Sequence, residues 1–102
     1  MSVLDKFVDG KIGEYEARQK SGQLVGDILD AWRISQADLA RELVYDGKPM
    51  NPSALNNILN ARNGRKMPSK LMPLIRKTEL ERREKIAKAK AKEAELMANL
   101  SV

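Results

Sequence analysis

The stretch SQADLARELVYDGKPMNPSALNNILNARNG, residues 35–64, decides the fold because it places two helix signals on either side of a turn. Ser35 stands three residues before Asp38, which fits the capping pattern found at the start of many helices. We therefore predict a helix from Gln36 to about Val44, with its apolar side chains directed into a core.

A second helix is predicted after the turn, from residue 52 to residue 63. Asn51 followed by Pro52 is a favoured pair of N-cap and first-turn residues. Residues 45–50 contain Asp-Gly and a Pro, which are typical of a turn. We expect Asn63 and Gly64 to end the helix in a left-handed cap. One face should carry Ala54, Leu55, Ile58 and Leu59, and the other Ser53, Asn56, Asn57 and Asn60.

Helix signals also lie on both sides of this central stretch. An apolar stripe typical of a core helix is formed by Leu24, Val25, Ile28, Leu29 and Trp32. Nearer the N-terminus a helix is expected that could break at Gly10. Residues 79–100 consist almost wholly of Ala, Lys, Glu, Arg and Leu, which favour a long helix. We predict an all-α fold of four to five helices with a long C-terminal helix. The predicted divisions are an N-terminal arm at 1–22, a helix-turn-helix domain at 23–77 and a charged helix at 78–102.

Positive charge is concentrated in the second half of the chain. Residues 1–46 contain six Lys and Arg against nine Asp and Glu, a net charge of −3, whereas residues 47–102 contain thirteen against five, a net charge of +8. No acidic residue lies between Asp46 and Glu79, where the basic residues are Lys48, Arg62, Arg65, Lys66, Lys70, Arg76 and Lys77. Such a run attracts polyanions, and beside an amide-rich helix it predicts binding of nucleic acid.

The composition argues against an enzyme. The 102 residues include no Cys and no His, which excludes disulfides, thiolate metal sites and the commonest acid-base group. We expect no cofactor, no metal ion and no small-molecule substrate. No window reaches the roughly 20 apolar residues of a membrane span, which predicts a soluble cytoplasmic protein. A core this small predicts a homodimer.

Residues 35–43 together with residues 51–69 resemble the helix-turn-helix domain of the Cro and phage-repressor type, also called XRE-like, and the likeness spans about residues 23–77. The resemblance implies that the helix starting at residue 52 enters the major groove and that Gln36 contacts a backbone phosphate. An Asn amide can pair with N6 and N7 of adenine, so the predicted base contacts are Ser53, Asn56, Asn57 and Asn60. The predicted phosphate contacts after the helix are Arg62, Arg65 and Lys66, to which the acid-free run adds Lys70.

The connection between the two helices, residues 44–50, is several residues longer than the tight turn of that family. Three interpretations remain open. The extra residues could be a neutral insertion, a small projection that places Lys48 at a phosphate, or the mark of a bihelical unit with another purpose.

The predicted function is that of a sequence-specific regulator of transcription, of the phage, plasmid or mobile-element type, that binds double-stranded DNA as a dimer and represses. Two alternatives come from other classes. One is a protein-interaction adaptor whose basic face is incidental, and the other is a nonspecific architectural protein that coats DNA with its Lys-rich tail. The dimer interface could use either the N-terminal or the C-terminal helix.

Overall fold

A computed structural model describes residues 1–100 of the chain. Within this range the chain forms six α-helices and one two-stranded antiparallel hairpin. The helices are α1 Val3–Val8, α2 Glu14–Gln19, α3 Ser21–Trp32, α4 Gln36–Glu42, α5 Pro52–Leu59 and α6 Met72–Leu100. The strands are β1 Val44–Tyr45 and β2 Lys48–Pro49. The predicted all-α character and the long C-terminal helix are therefore confirmed, with one small hairpin added.

The core is centred on α3, whose apolar stripe packs against both α1 and α5. Leu24, Val25 and Ile28 of α3 are fully buried, as are Leu55 of α5 and Phe7 of α1 to within 1 %. This burial follows from the helical spacing of the apolar residues, which places them on one side of each short helix. The opposite side of α5 is thereby left towards solvent.

The N-terminal segment is two helices, and the possible break at Gly10 is confirmed. Gly10 has a φ of +76°, a backbone conformation that glycine adopts without steric cost. The start of α1 is capped by Asp27 of α3, whose Oδ2 accepts hydrogen bonds from the backbone N–H groups of Val3 at 2.8 Å and Leu4 at 3.3 Å. A carboxylate at a helix N-terminus satisfies unpaired N–H groups and the helix dipole together. Asp27 therefore attaches α1 to the core.

The connection between α4 and α5 is an ordered hairpin. Val44 pairs with Pro49 and Tyr45 with Lys48, and the two turn residues between them, Asp46 and Gly47, have φ values of +53° and +77°. Positive φ at both central positions is the type I′ geometry that an Asp-Gly pair favours in a two-residue hairpin. The predicted turn residues thus form a compact hairpin.

Helix α5 ends at Leu59, so the prediction that it extends to residue 63 is wrong. Asn60 is its C-cap, and the chain then turns through Ala61 with a φ of +52° and Asn63 with a φ of +53°. A left-handed Ala is incompatible with continued α-helix and has no local sequence signal, since Ala is the best helix former. A short 3₁₀ turn, Arg62–Gly64, follows.

Helix α6 is continuous from Met72, so the segment that closes the core and the charged segment expected from residue 78 are one helix. Pro73 lies in its first turn, where its missing N–H costs nothing. Its first part packs on the core through Met72, Ile75 and Glu79, whereas all residues from 84 to 100 are exposed. The helix therefore projects from the globule and produces principal extents of 60 × 28 × 23 Å. Ser101 and Val102, which the prediction assigned to this helix, lie outside the described residues.

Glu79 is a buried carboxylate at the point where α6 leaves the core. It is fully buried, and its Oε1 accepts a hydrogen bond from Nε of Arg82 at 2.8 Å. Its Oε2 accepts from the indole Nε1 of Trp32 at 3.3 Å. A buried charge is tolerated only when it is paired and hydrogen-bonded, and here both conditions are met. The contact joins the end of α3 to α6.

Candidate nucleic-acid interface

The N-terminal ends of α4 and α5 converge on a shallow surface depression. No acidic side chain is among the residues that line it, and two helix N-termini direct their partial positive charge towards it. Its lining residues are Gln36, Ala37, Pro52, Ser53, Asn56, Asn57 and Arg62. The fold thus brings together three of the four predicted base-contacting residues with two of the predicted phosphate contacts.

Local capping explains why both helices start at this depression. The hydroxyl oxygen of Ser35 accepts a hydrogen bond from the backbone N–H of Asp38 at 3.1 Å, which confirms the predicted cap of α4. At α5, Oδ1 of Asn51 accepts from the backbone N–H of Ser53 at 2.8 Å, and Pro52 occupies the first turn. Caps of this kind stabilise a helix by about 1 kcal/mol, and here they fix which residues form the exposed first turn of each helix.

Three amide side chains form a hydrogen-bonded chain across the two helices. Nδ2 of Asn56 donates to Oε1 of Gln36 at 3.0 Å. Nδ2 of Asn60 donates to Oδ1 of Asn56 at 3.2 Å and to the Asn56 backbone carbonyl at 3.0 Å. We refer to Gln36, Asn56 and Asn60 as the amide chain. The unpaired groups of the amide chain are the Nε2 donors of Gln36 at one end and the Oδ1 acceptor of Asn60 at the other.

Asn57 and Ser53 differ from the amide chain because their side chains make no hydrogen bond within residues 1–100. Asn57 is half-buried and Ser53 is exposed, and both line the depression. A free amide offers two donors and one acceptor with two lone pairs, and a free hydroxyl offers one donor and two lone pairs. These two residues therefore carry the largest unused hydrogen-bonding capacity on α5.

The exposed face of α5 is held in place by a close approach between α5 and α3. A Cβ added at Gly22 would lie 3.1 Å from the backbone carbonyl oxygen of Leu59 and 3.3 Å from that of Ile58. A Cβ at these distances would be tighter than most real Cβ contacts, and because the neighbouring atoms are backbone, α3 and α5 would have to separate by a few tenths of an ångström. Gly22 therefore sets the depth at which α5 sits on the core.

The basic loop after α5 is anchored at Met67, which is fully buried. Its backbone N–H donates to the Ser21 hydroxyl oxygen at 2.8 Å, and its carbonyl accepts from Nε of Arg18 at 2.9 Å. This attachment fixes the position of Arg65 and Lys66, the two residues that precede it. A basic loop tied to the core can present its charges at defined places.

The predicted phosphate-contacting residues fall into two groups. Arg62, Arg65 and Lys48 are exposed, and within the described part of the chain their side chains form no hydrogen bond or ion pair. Lys66 donates from Nζ to Oε1 of Gln19 at 2.6 Å, and Lys70 forms an ion pair with Asp46 at 3.0 Å. Ion pairs this exposed contribute about 0 to 1 kcal/mol, so that Lys70 can exchange its partner at little cost.

The predicted site residues are not all in one place. Lys48 lies on β2 beside a separate depression of the hairpin, and Lys66 contacts α2. Asn60 lies at the other end of α5, where a further depression is lined by Gln19, Lys20, Gly22, Gln23, Leu59, Asn60 and Ala61. Lys20 and Gln23 are polar residues of this surface that the sequence interpretation missed. No local signal could have indicated them, because they lie 40 and 37 residues before Asn60 along the chain.

Comparisons with protein-family models, curated proteins and solved structures found no match. The resemblance to the Cro and phage-repressor type therefore stays a prediction from the quoted residues. No helix in the first 100 residues has both the length and the apolar character to cross a membrane.

Proposed function

We propose that this chain is a sequence-specific DNA-binding regulator of transcription that places α5 in the major groove. The observation that carries the proposal is the exposed face of α5, on which Ser53 and Asn57 have free hydrogen-bonding groups. Arg62 lies beside them and no acidic residue lines the same depression.

The chemistry of this face matches the two tasks of a DNA-binding surface. Hydrogen bonds from amides and hydroxyls to base edges carry sequence information, whereas cations on phosphates supply affinity and orientation. Asn57 and Ser53 are assigned to base edges, together with the free Oδ1 of Asn60. Gln36, Arg62 and Arg65 are assigned to phosphates. Lys48, on the hairpin beside α5, is assigned to a phosphate outside the central contact. Of the three interpretations of the long connection, this assignment favours a small projection that places Lys48 at a phosphate.

The proposed protein acts as a pair of subunits on a two-fold-related operator. Two recognition helices would then lie about 34 to 36 Å apart, or a multiple of this distance, on one side of the duplex. Repression by occupation of a promoter requires nothing beyond this binding. The described residues supply the DNA-contacting surface, and pairing of the subunits supplies the spacing.

The test is selection of duplexes from a random pool, followed by titration of the selected and a random duplex at several salt concentrations. We expect the selected duplex to bind at least about 1,000-fold more tightly than the random one. The logarithm of affinity should fall linearly with the logarithm of salt concentration. Equal affinity for every duplex would replace the proposal with a nonspecific coating protein. Absence of binding at low salt would replace it with a protein-interaction adaptor.

A further inference from the structure

The projecting half of α6 carries a seam of side chains that continues the buried face of the same helix. Successive positions alternate in spacing between three and four residues, which is the heptad repeat of a coiled coil. The positions are Met72, Ile75, Glu79, Arg82, Ile86, Ala89, Glu93, Leu96 and Leu100. Met72, Ile75 and Glu79 pack on the core. After Arg82, the five positions from Ile86 to Leu100 lie beyond the globule. We call Ile86, Ala89, Glu93, Leu96 and Leu100 the free seam.

The free seam exposes large apolar side chains that nothing in residues 1–100 covers. Ile86 is 40 % exposed, Leu96 is 55 % and Leu100 is 83 %. The other side of the helix carries the small residues Ala87, Ala91 and Ala94. A helical segment of about this length is marginal in water on its own, and most helix stability comes from packing of an apolar face. The free seam is therefore the face on which a partner would stabilise the projecting helix.

Charge along this helix is distributed unequally between its two ends. Residues 82–92 contain six basic residues, Arg82, Arg83, Lys85, Lys88, Lys90 and Lys92, and only one acidic residue, Glu84. Residues 93–100 contain Glu93 and Glu95 and no basic residue. The segment thus has a basic first part and an acidic end. Two copies that run in opposite directions would therefore place the basic part of each beside the acidic end of the other.

We propose that a second copy of this chain packs on the free seam in the antiparallel direction. In this register Ile86 faces Leu96 of the partner subunit, and Ala89 faces Glu93 of the partner subunit. The small side chain of Ala89 leaves room for the carboxylate of Glu93 of the partner subunit. That carboxylate lies beside Lys90 of the partner subunit. The arrangement is isologous, as a two-fold dimer requires.

A parallel pair is disfavoured by the same residues. It would place Glu93 against Glu93 of the partner subunit within the seam and Lys85 opposite Lys90 of the partner subunit. Like charges at these positions oppose pairing and select another orientation. In the antiparallel pair Lys90 and Lys92 lie near the two-fold axis, where Glu93 of each subunit is the counter-charge. The acidic end of each helix then lies along the basic part of the other.

Disulfide trapping tests both the interface and its direction, and the absence of native Cys makes each introduced thiol unique. The variants are Ile86→Cys, Leu96→Cys and the outer-face control Ala91→Cys, each oxidised alone, and a mixture of the first two. The antiparallel dimer predicts covalent dimers in the mixture of Ile86→Cys and Leu96→Cys, and few in any variant oxidised alone. Efficient trapping of Ile86→Cys alone and of Leu96→Cys alone would establish a parallel pair and overturn the proposal.

Sedimentation equilibrium of the full chain supplies a second measurement that does not depend on oxidation. The unaltered protein should have twice the mass of one chain, and Ile86→Lys should shift it to the mass of one chain. Ala91→Lys, which adds the same charge on the outer face, should remain dimeric. A monomeric unaltered protein, or a dimer that Ile86→Lys leaves intact, would refute the proposal. Neither outcome depends on whether the chain binds DNA.

Discussion

Nδ2 of Asn56 donates a hydrogen bond to Oε1 of Gln36 at 3.0 Å and so joins the exposed face of α5 to the first turn of α4. The contact uses one donor of Asn56 and leaves the two Nε2 donors of Gln36 without a partner in the described residues. Asn56 is therefore assigned here as a positioning residue for Gln36, and not as a base contact. Asn57, the next residue, has no such partner within the described range.

Substitution of Asn56 should weaken binding to all DNA. In Asn56→Ala the amide of Gln36 loses its fixed orientation, so that the phosphate contact assigned to Gln36 becomes weaker on every sequence. We expect affinity for the selected duplex and for a random duplex to fall together, as measured by fluorescence anisotropy. A Gln36→Ala variant should show the same pattern, and the double variant should lose less than the sum of the two. Strict additivity would show that the hydrogen bond does not couple the two residues.

Substitution of Asn57 should weaken binding to the selected duplex alone. Asn57→Ala removes a free amide from the proposed base contacts, at a cost of about 1 to 3 kcal/mol on the selected duplex. Affinity for random DNA should change little, because that binding depends on phosphates. Asn99→Ala makes the same change on the projecting part of α6 and serves as the control. An equal loss on both duplexes for Asn57→Ala would exclude base reading by this residue.

Charge removal should separate Arg65 from Lys70. Arg65 has no ion pair within the first 100 residues, whereas Lys70 pairs with Asp46. Arg65→Ala should reduce the slope of log affinity against log salt by about one on any duplex. Lys70→Ala should produce a smaller change in the slope, since a lysine that is already paired with Asp46 is less available to a phosphate. Lys11→Ala removes the same charge from the segment between α1 and α2, and should leave the slope unchanged.

Two glycines of α3 should respond oppositely to the same substitution. At Gly26 an added Cβ would meet only Cδ1 of Leu59 at 3.9 Å, so Gly26→Ala should raise the free energy of unfolding by up to about 1 kcal/mol. At Gly22 the added Cβ meets backbone oxygen at 3.1 Å, so Gly22→Ala should lower the free energy of unfolding and shift α5. Urea unfolding followed by circular dichroism measures both changes. Equal stabilisation by the two variants would show that α3 and α5 can separate at no cost.

Arg83 should contribute to stability by attaching α1 to α6. Its guanidinium donates at 2.7 Å to Oδ1 of Asp9 and at 2.7 Å to Oδ1 of Asp5. The hydrogen bond with Asp9 is the main cause that raises the pKa of Arg83, and the charges of Asp9, Glu79 and Asp5 add to it. A raised pKa gives stability that is complete below the pKa of the unfolded state and is lost only as pH rises through the folded value. Arg83 therefore remains charged throughout the working range of pH.

Arg83→Ala should lower the free energy of unfolding by about 1 kcal/mol, since both pairs are partly exposed and therefore screened. The loss should shrink at high salt and should not depend on pH between neutrality and mildly alkaline conditions. Arg83→Lys keeps the charge but cannot reach both carboxylates with a planar fork, so it should recover only part of the loss. A pH-dependent effect of Arg83→Ala within that alkaline range would contradict the assignment.

Local signals predicted the beginnings of α4 and α5. Ser35 and Asn51 lie next to the groups that they cap, so the sequence contains the whole interaction. The end of α5 could not be predicted, because the left-handed Ala61 has no compositional mark. Neither could the contact of Gly22 with Leu59 or the pairing of Gln36 with Asn56, since each joins segments that only the folded chain brings together.

The core-facing side of α6 likewise could not be predicted from the sequence alone. Alanines follow one side of this helix and larger apolar residues another, so spacing alone does not determine which side meets the core. Burial of Met72, Ile75 and Glu79 determines it, and the free seam then follows from the heptad spacing. Long-range packing thus supplied the register that the composition left undetermined.

The hydrogen bond between Trp32 and Glu79 gives the chain an intrinsic optical reporter. Trp32 is the single Trp, and its indole lies against the segment of α6 that leaves the core. Its emission wavelength and intensity should therefore change when α6 detaches, without any added dye. Comparison of this fluorescence with the far-ultraviolet dichroism during unfolding would show whether the long helix is released before the rest of the protein melts.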